Sequence, residues 1–250
     1  MWKAARALAP RMTVESKHHP SGPLTLAMVL AASAGFIDAF IDIRVTPVFV
    51  ANMSGNLVRL GIASGRHDAR AGIAALVALG GFIGGAMLAT ASIDARVRRV
   101  QPPTPVPLLW LESFLLAVLT VIVVAGRIDY SATLTAIDVV VIVIGATAMG
   151  IQAVALRRVG QIAVSTTYGT GAVVRLAEKL ALGFRRADRP GDIRRRRSIL
   201  VLGGVLISYV IGAYVGTALG TSRALLVIPA IIPAIAALLF GRRQHSRPAA

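Results

Sequence analysis

Apolar runs long enough to cross a bilayer follow one another along almost the whole chain, broken only by short polar or basic connectors. A transmembrane helix needs about 20 consecutive, mostly apolar residues, and six segments meet that test: 24–43, 72–91, 108–125, 136–156, 199–219 and 224–240. Two further stretches, 47–63 and 162–182, are apolar but interrupted. The first carries Asn52, Ser54, Gly55, Asn56 and Arg59, the second Thr166, Thr167, Gly169, Thr170, Gly171 and Arg175. The pattern predicts an all-α, polytopic transmembrane helix bundle with six clear spans and two polar, Gly-interrupted segments that either span or re-enter.

The order of these features occurs twice. Laying Gly35 on Gly150, Ser54-Gly55 on Thr170-Gly171 and Ile83-Gly84 on Ile211-Gly212 brings Arg59-Leu60 onto Arg175-Leu176. Each copy, about 24–91 and 136–219, is then a clear span, a polar segment ending in Arg-Leu, and a Gly-rich span, with 108–125 between the copies and 224–240 after them. With six spans the copies are inverted about an axis in the membrane plane. With eight they are parallel. Lys and Arg distribute more unevenly between the two sides in the six-span arrangement, which the positive-inside rule favours. That arrangement places the tails, 1–23 and 241–250, in the cytoplasm with the loop that carries Arg185, Arg186, Arg189 and Arg194 to Arg197.

Composition changes the reading of charge. Of 250 residues, 56% are hydrophobic and 15% charged, and the mean hydropathy is +0.73, more apolar surface than a soluble core of this size can hide. A net charge of +16 in a soluble protein would suggest a nucleic-acid partner. Here the basic residues sit in short connectors, without the folded basic surface and aromatic platforms that nucleic acid requires, so the partners expected are membrane lipids. There is no cysteine, which excludes disulfides and thiolate chemistry, and the four histidines lie in tails or a loop, so neither a metal site nor a cofactor is expected. No phosphate-binding loop of the ATP-driven kind is present. Small residues at every fourth position, at Ala27, Ala31, Gly35 and Ala39 and again at Gly204, Ser208, Gly212, Gly216 and Gly220, are read as seams between helices of one chain, with a homo-oligomer as the alternative.

Candidate chemistry concentrates in the interrupted segments. A Ser/Thr-Gly turn followed four residues later by Arg occurs in both copies. Such turns begin short helices whose free N–H groups, with Arg59 and Arg175 one turn on, favour an anion. The bland alternative is that Ser, Thr and Asn cap helix ends while the Arg side chains reach headgroups. Asp38 and Asp42 share one face of the first helix. Asp42 is expected at the interface, and Asp38, deeper, is a partner for Arg59 or a proton carrier. The candidate substrate-binding set is thus Asp38, Asn52, Ser54, Gly55, Asn56 and Arg59 with Gln152, Thr167, Thr170, Gly171 and Arg175. Glu112 and Glu178 are read as interfacial. The stretch Asn52-Met53-Ser54-Gly55 is similar to the nucleophile turn of intramembrane serine proteases, but no span supplies a histidine base, so no enzyme is expected.

The stretch Ala34-Gly35-Phe36-Ile37-Asp38-Ala39, followed by Val48-Phe49-Val50-Ala51-Asn52-Met53-Ser54-Gly55-Asn56, resembles the signature of the bacterial YoaK family. Gly150-Ile151-Gln152-Ala153 and Thr166-Thr167-Tyr168-Gly169-Thr170-Gly171 are similar to that family's second block, with departures at Ser54, Val154 and Tyr168. The resemblance implies a bacterial cytoplasmic-membrane protein of about six spans in a family classed as a domain of unknown function. The function expected from the residues is a transporter or channel-like protein, not driven by ATP, for a small solute with an anion as the leading candidate. A membrane scaffold or lipid-interacting protein whose polar turns are structural is the alternative.

Overall fold

The computed structural model describes residues 21–102, 104–128, 130, 133–159, 169–185, 192–218 and 222–245. Among them the chain forms eight α-helices and no strand: α1 (Ser21–Arg44), α2 (Met53–Arg66), α3 (Ala69–Arg98), α4 (Val106–Ala125), α5 (Ala136–Val159), α6 (Gly169–Arg185), α7 (Asp192–Ala218) and, after a 3-10 turn at Arg223–Leu226, α8 (Val227–His245). The six long apolar helices α1, α3, α4, α5, α7 and α8, the last together with the 3-10 turn before it, fall on the six expected spans, and each is long and apolar enough to cross a membrane. The interrupted stretches become α2 and α6. At about 1.5 Å per residue, the 14 residues of α2 and 17 of α6 reach roughly 21 and 26 Å, short of a hydrocarbon core of about 30 Å.

Lipid as solvent explains what each helix shows to the outside. Ile83 and Met87 on α3, Phe114 and Val121 on α4, and Ile207 and Val210 on α7 are all exposed, a pattern that would aggregate a protein in water. The short α2 is likewise turned apolar side out, with Leu57, Val58 and Ile62 exposed while Asn56 is buried. Its ends are well made. Asn52 caps the start, His67 closes the end in the left-handed conformation (φ 54°), and Asp68 caps α3 by accepting from the Ala71 N–H at 3.0 Å.

Packing is reciprocal. α1 packs along α7, and α3 packs along α5 in the same manner. A side chain at Gly35 would run into the backbone carbonyl of Tyr209, and one at Gly150 into that of Phe82. From the other side, Gly212 abuts the carbonyl of Ala32 and Gly85 that of Thr147. Backbones this close require glycine, and they draw helices together where lipid supplies no hydrophobic drive. The same exchange relates α2 on α3 to α6 on α7, and α4 on α5 to α8 on α1. The protein is therefore an internal two-fold repeat whose pairing extends to α4 and α8.

The close contacts also correct the alignment of the copies. The counterpart of Gly212 is Gly85, one position beyond the Gly84 chosen by the Ile-Gly match, because a side chain at Gly84 would meet open space. The symmetry is inverted. Ser113 on α4 donates to the Ala230 carbonyl on α8 at 2.6 Å, while Thr120, further along α4, donates to Leu226, in the 3-10 turn that leads into α8, at 3.0 Å. These two helices run antiparallel, as six spans require and eight forbid. α8 leaves one carbonyl open within the helix, because Pro233 has no N–H for the Pro229 carbonyl. Ser33 on α1 reaches that carbonyl at 3.5 Å.

Candidate functional site

After α1 the chain leaves helical geometry, and residues 46–52 approach α2 without a backbone ladder of their own. Non-helical backbone at membrane depth must find partners inside the protein. Asp38, buried on α1, supplies them. One carboxylate oxygen accepts from the N–H groups of Val50 at 2.6 Å and Ala51 at 2.7 Å, the other from Asn52 N–H at 3.0 Å and from the Tyr209 hydroxyl on α7. Four donors fill the roughly four acceptor positions of a carboxylate. Asp38 thereby fastens the connector to α1 and α7 at once.

Asn56 finishes the connector. Buried in the first turn of α2, its amide bonds both backbone groups of Phe49, accepting from the N–H at 3.0 Å and donating to the carbonyl at 2.5 Å, as a neighbouring strand would. Asn52 accepts from Ser54 Oγ at 2.9 Å and from Gly55 N–H at 3.4 Å. Gly55 is bare because the Phe49 ring would lie 2.8 Å from a Cβ there. Arg59 stacks over this ring, 4.5 Å from its centroid, and pairs with Asp42 at 2.6 Å. The partner of Arg59 is Asp42 and not Asp38. Both acids share one face of α1, and the Asp38 oxygens are already taken by backbone donors.

Asp38, Asn52, Ser54, Gly55 and Asn56 thus form one bonded cluster, with Arg59 joined to it through Phe49. The second copy's residues go elsewhere. Gln152, buried on α5, donates at 2.7 Å to Oε1 of Glu112 on α4. Gly171 and Arg175 lie on the exposed side of α6. Thr167 and the side chain of Thr170 lie outside the described residues. A cavity of about 280 Å³ opens where the ends of α1 and α7 meet Tyr130, lined by Ile43, Arg44, Tyr130, Gly216 and Thr217. None of the expected site residues borders it.

Glu112 corrects the sequence reading most sharply. Expected at the interface, it is 0% exposed, nearly two turns inside α4. Three participants were missed: Tyr209, Phe49 and Glu112 as the partner of Gln152. Tyr209 carried a signal, being a phenol at mid-span beside the small-residue stripe of Gly204, Ser208 and Gly212, where a buried Tyr needs an acceptor. Phe49 carried none, since an apolar residue in an apolar stretch is unremarked.

The chain is 28% identical over 193 residues, 76% of its length and 81% of the relative's, to the UPF0700 transmembrane protein YoaK of Bacillus subtilis (strain 168). No solved structure matches it. The model of the family described as "Protein of unknown function (DUF1275)" matches residues 26–239, which takes in the Asp38 clamp, the Asn56 connector and all six spans, and the chain is a multi-pass membrane protein belonging to that family.

Proposed function

We propose that the protein is a transporter of a small solute, driven without ATP, that works by rocking one inverted repeat against the other. The observation that carries this reading is the antiparallel α4–α8 pairing together with the reciprocal α1–α7 and α3–α5 seams. Inverted repeats with an interrupted segment in each copy are the architecture in which alternating access is achieved by rigid-body motion around a central site. α2 and its non-helical lead-in are such a segment, anchored by Asp38. In this reading both termini face the cytoplasm, the host membrane is the bacterial cytoplasmic membrane, lipids are the surrounding partner, and the chain catalyses no covalent step. Ser54 Oγ bonds Asn52, and His67 stands at the far end of α2, about 20 Å along the helix.

The solute's charge is not set by Arg59, which Asp42 neutralises. A search should therefore cover anions and neutral solutes alike. Thermal-shift screening of purified protein, repeated on Arg59→Gln and Arg175→Gln, tests the proposal. Stabilisation by one small solute, confirmed by uptake into proteoliposomes, supports transport. If no solute stabilises the wild type and both variants fold normally, the scaffold reading takes its place. One observation favours that second reading: the Asp38 cluster satisfies its own polar groups and leaves few for a ligand.

A further inference from the structure

We propose that Glu112 is a proton-binding site in the membrane interior and that the proton is the ion coupled to the transport proposed above. The inference rests on that reading for its purpose, but the site itself stands on geometry. Glu112 is fully buried, Oε1 accepts from Gln152 Nε2 at 2.7 Å, and Oε2 has no hydrogen-bond partner among the described residues. The contrast with Asp38 is internal to the same molecule. Asp38 receives four donors and can hold a full charge, whereas Glu112 receives one, from a neutral amide.

Among the described side chains no counter-charge faces it. Of the elements packed against α4, α5 carries Asp138, which caps its own far end by accepting from Thr135, Arg157, exposed beyond Gln152, and Arg158, whose side chain lies outside the described residues. The 3-10 turn carries Arg223, which donates to the Ile128 carbonyl past the opposite end of α4. α8 carries Arg242, exposed and roughly 18 Å along the helix from Ala230, the residue beside Ser113, and further on Arg243 and His245, whose side chains lie outside the described residues. A charged carboxylate with one neutral donor and no cation is far more costly to bury than a neutral acid. A metal ion is a poor alternative. Hard cations such as Ca²⁺ take about 6–8 oxygens, and the flanking residues Leu108, Leu109, Leu116, Ala148, Ile151, Ala155 and Leu156 are buried and apolar.

Location gives the proton a use. α4 ends the first half of the repeat and α5 begins the second, so the Glu112–Gln152 contact sits on the junction that rocking would open. Water reaching that seam would let the proton leave, and closure would require one to return.

Infrared spectroscopy of the purified protein through a pH titration tests this, with carboxyl-labelled glutamate to separate glutamates from aspartates. The chain has three glutamates, Glu15, Glu112 and Glu178. A protonated glutamic acid band is expected at neutral pH, lost reversibly in alkali and lost entirely in Glu112→Gln. Should Glu112→Gln not fold, survival of the band in the Glu15→Gln, Glu178→Gln double variant makes the assignment. Absence of the band at neutral pH overturns the proposal, and so does a band that no pH removes, because such a proton is structural. Neither result depends on an uptake assay, so failure here leaves the transport reading to its own test.

Discussion

The Tyr209 hydroxyl donates to the Asp38 carboxylate across 171 positions of sequence, tying the second long helix of one repeat copy to the first helix of the other. A hydrogen bond to a charged acceptor contributes about 1.5–3 kcal/mol. Tyr209→Phe should lower the melting temperature in detergent while preserving membrane insertion. Asp38→Ala should do far more damage, because it strands three backbone N–H groups at once. A Tyr209→Phe protein as stable as wild type would remove Asp38 from the role of inter-helix clamp.

The corrected register of the repeat is testable at neighbouring glycines. Gly85→Ala and Gly212→Ala should each destabilise the protein, since the new methyl meets a backbone carbonyl, while Gly84→Ala should be neutral or mildly stabilising. Overpacking of this kind costs about 1–3 kcal/mol or more. Fluorescence-detected gel filtration after graded heating would rank the three. Equal loss at Gly84 and Gly85 would contradict the register.

The pairing of Arg59 with Asp42 predicts a double-mutant result. The side chains are 28% and 27% exposed, so the pair is worth only about 0.5–1 kcal/mol. Arg59→Gln and Asp42→Asn should each have a modest effect on thermal stability, and the double variant should lose less than the sum. Strict additivity would mean that the two do not interact.

Topology follows from six spans. Because the chain has no cysteine, single cysteines can be introduced at Arg44 and His67 on an unlabelled background. Both should react with an impermeant maleimide from the same face of intact cells, with a cysteine at Arg194 protected. Labels at Arg44 and His67 appearing on opposite faces would make α2 a span.

Much of the architecture was legible because lipid imposes a length on every apolar run. What failed was rotation about the helix axis. α4 is apolar almost all round, so nothing in its pattern says which way Glu112 points, and its place near the start of the span suggested the interface. Asp38 and Asp42 lie on one face of α1, so spacing alone offered Arg59 either one. The Asn52 to Asn56 cluster was recognised as special, yet nothing in its residue types says that the Asn56 amide bonds the backbone of Phe49. Polar residue type announces a need for partners and is silent on whether the chain itself supplies them.

The long separation between Asp38 and Tyr209 has a consequence for biogenesis. A ribosome adding about 5–20 residues per second needs on the order of 10–30 seconds to pass from one to the other. For that interval α1 resides in the bilayer without α7, and an unsheltered carboxylate there would tend to pull it back out. The amides of residues 50–52 emerge within about a second or two of Asp38 itself. The connector thus acts as an early chaperone in cis, holding the acid in place until the other half of the molecule arrives.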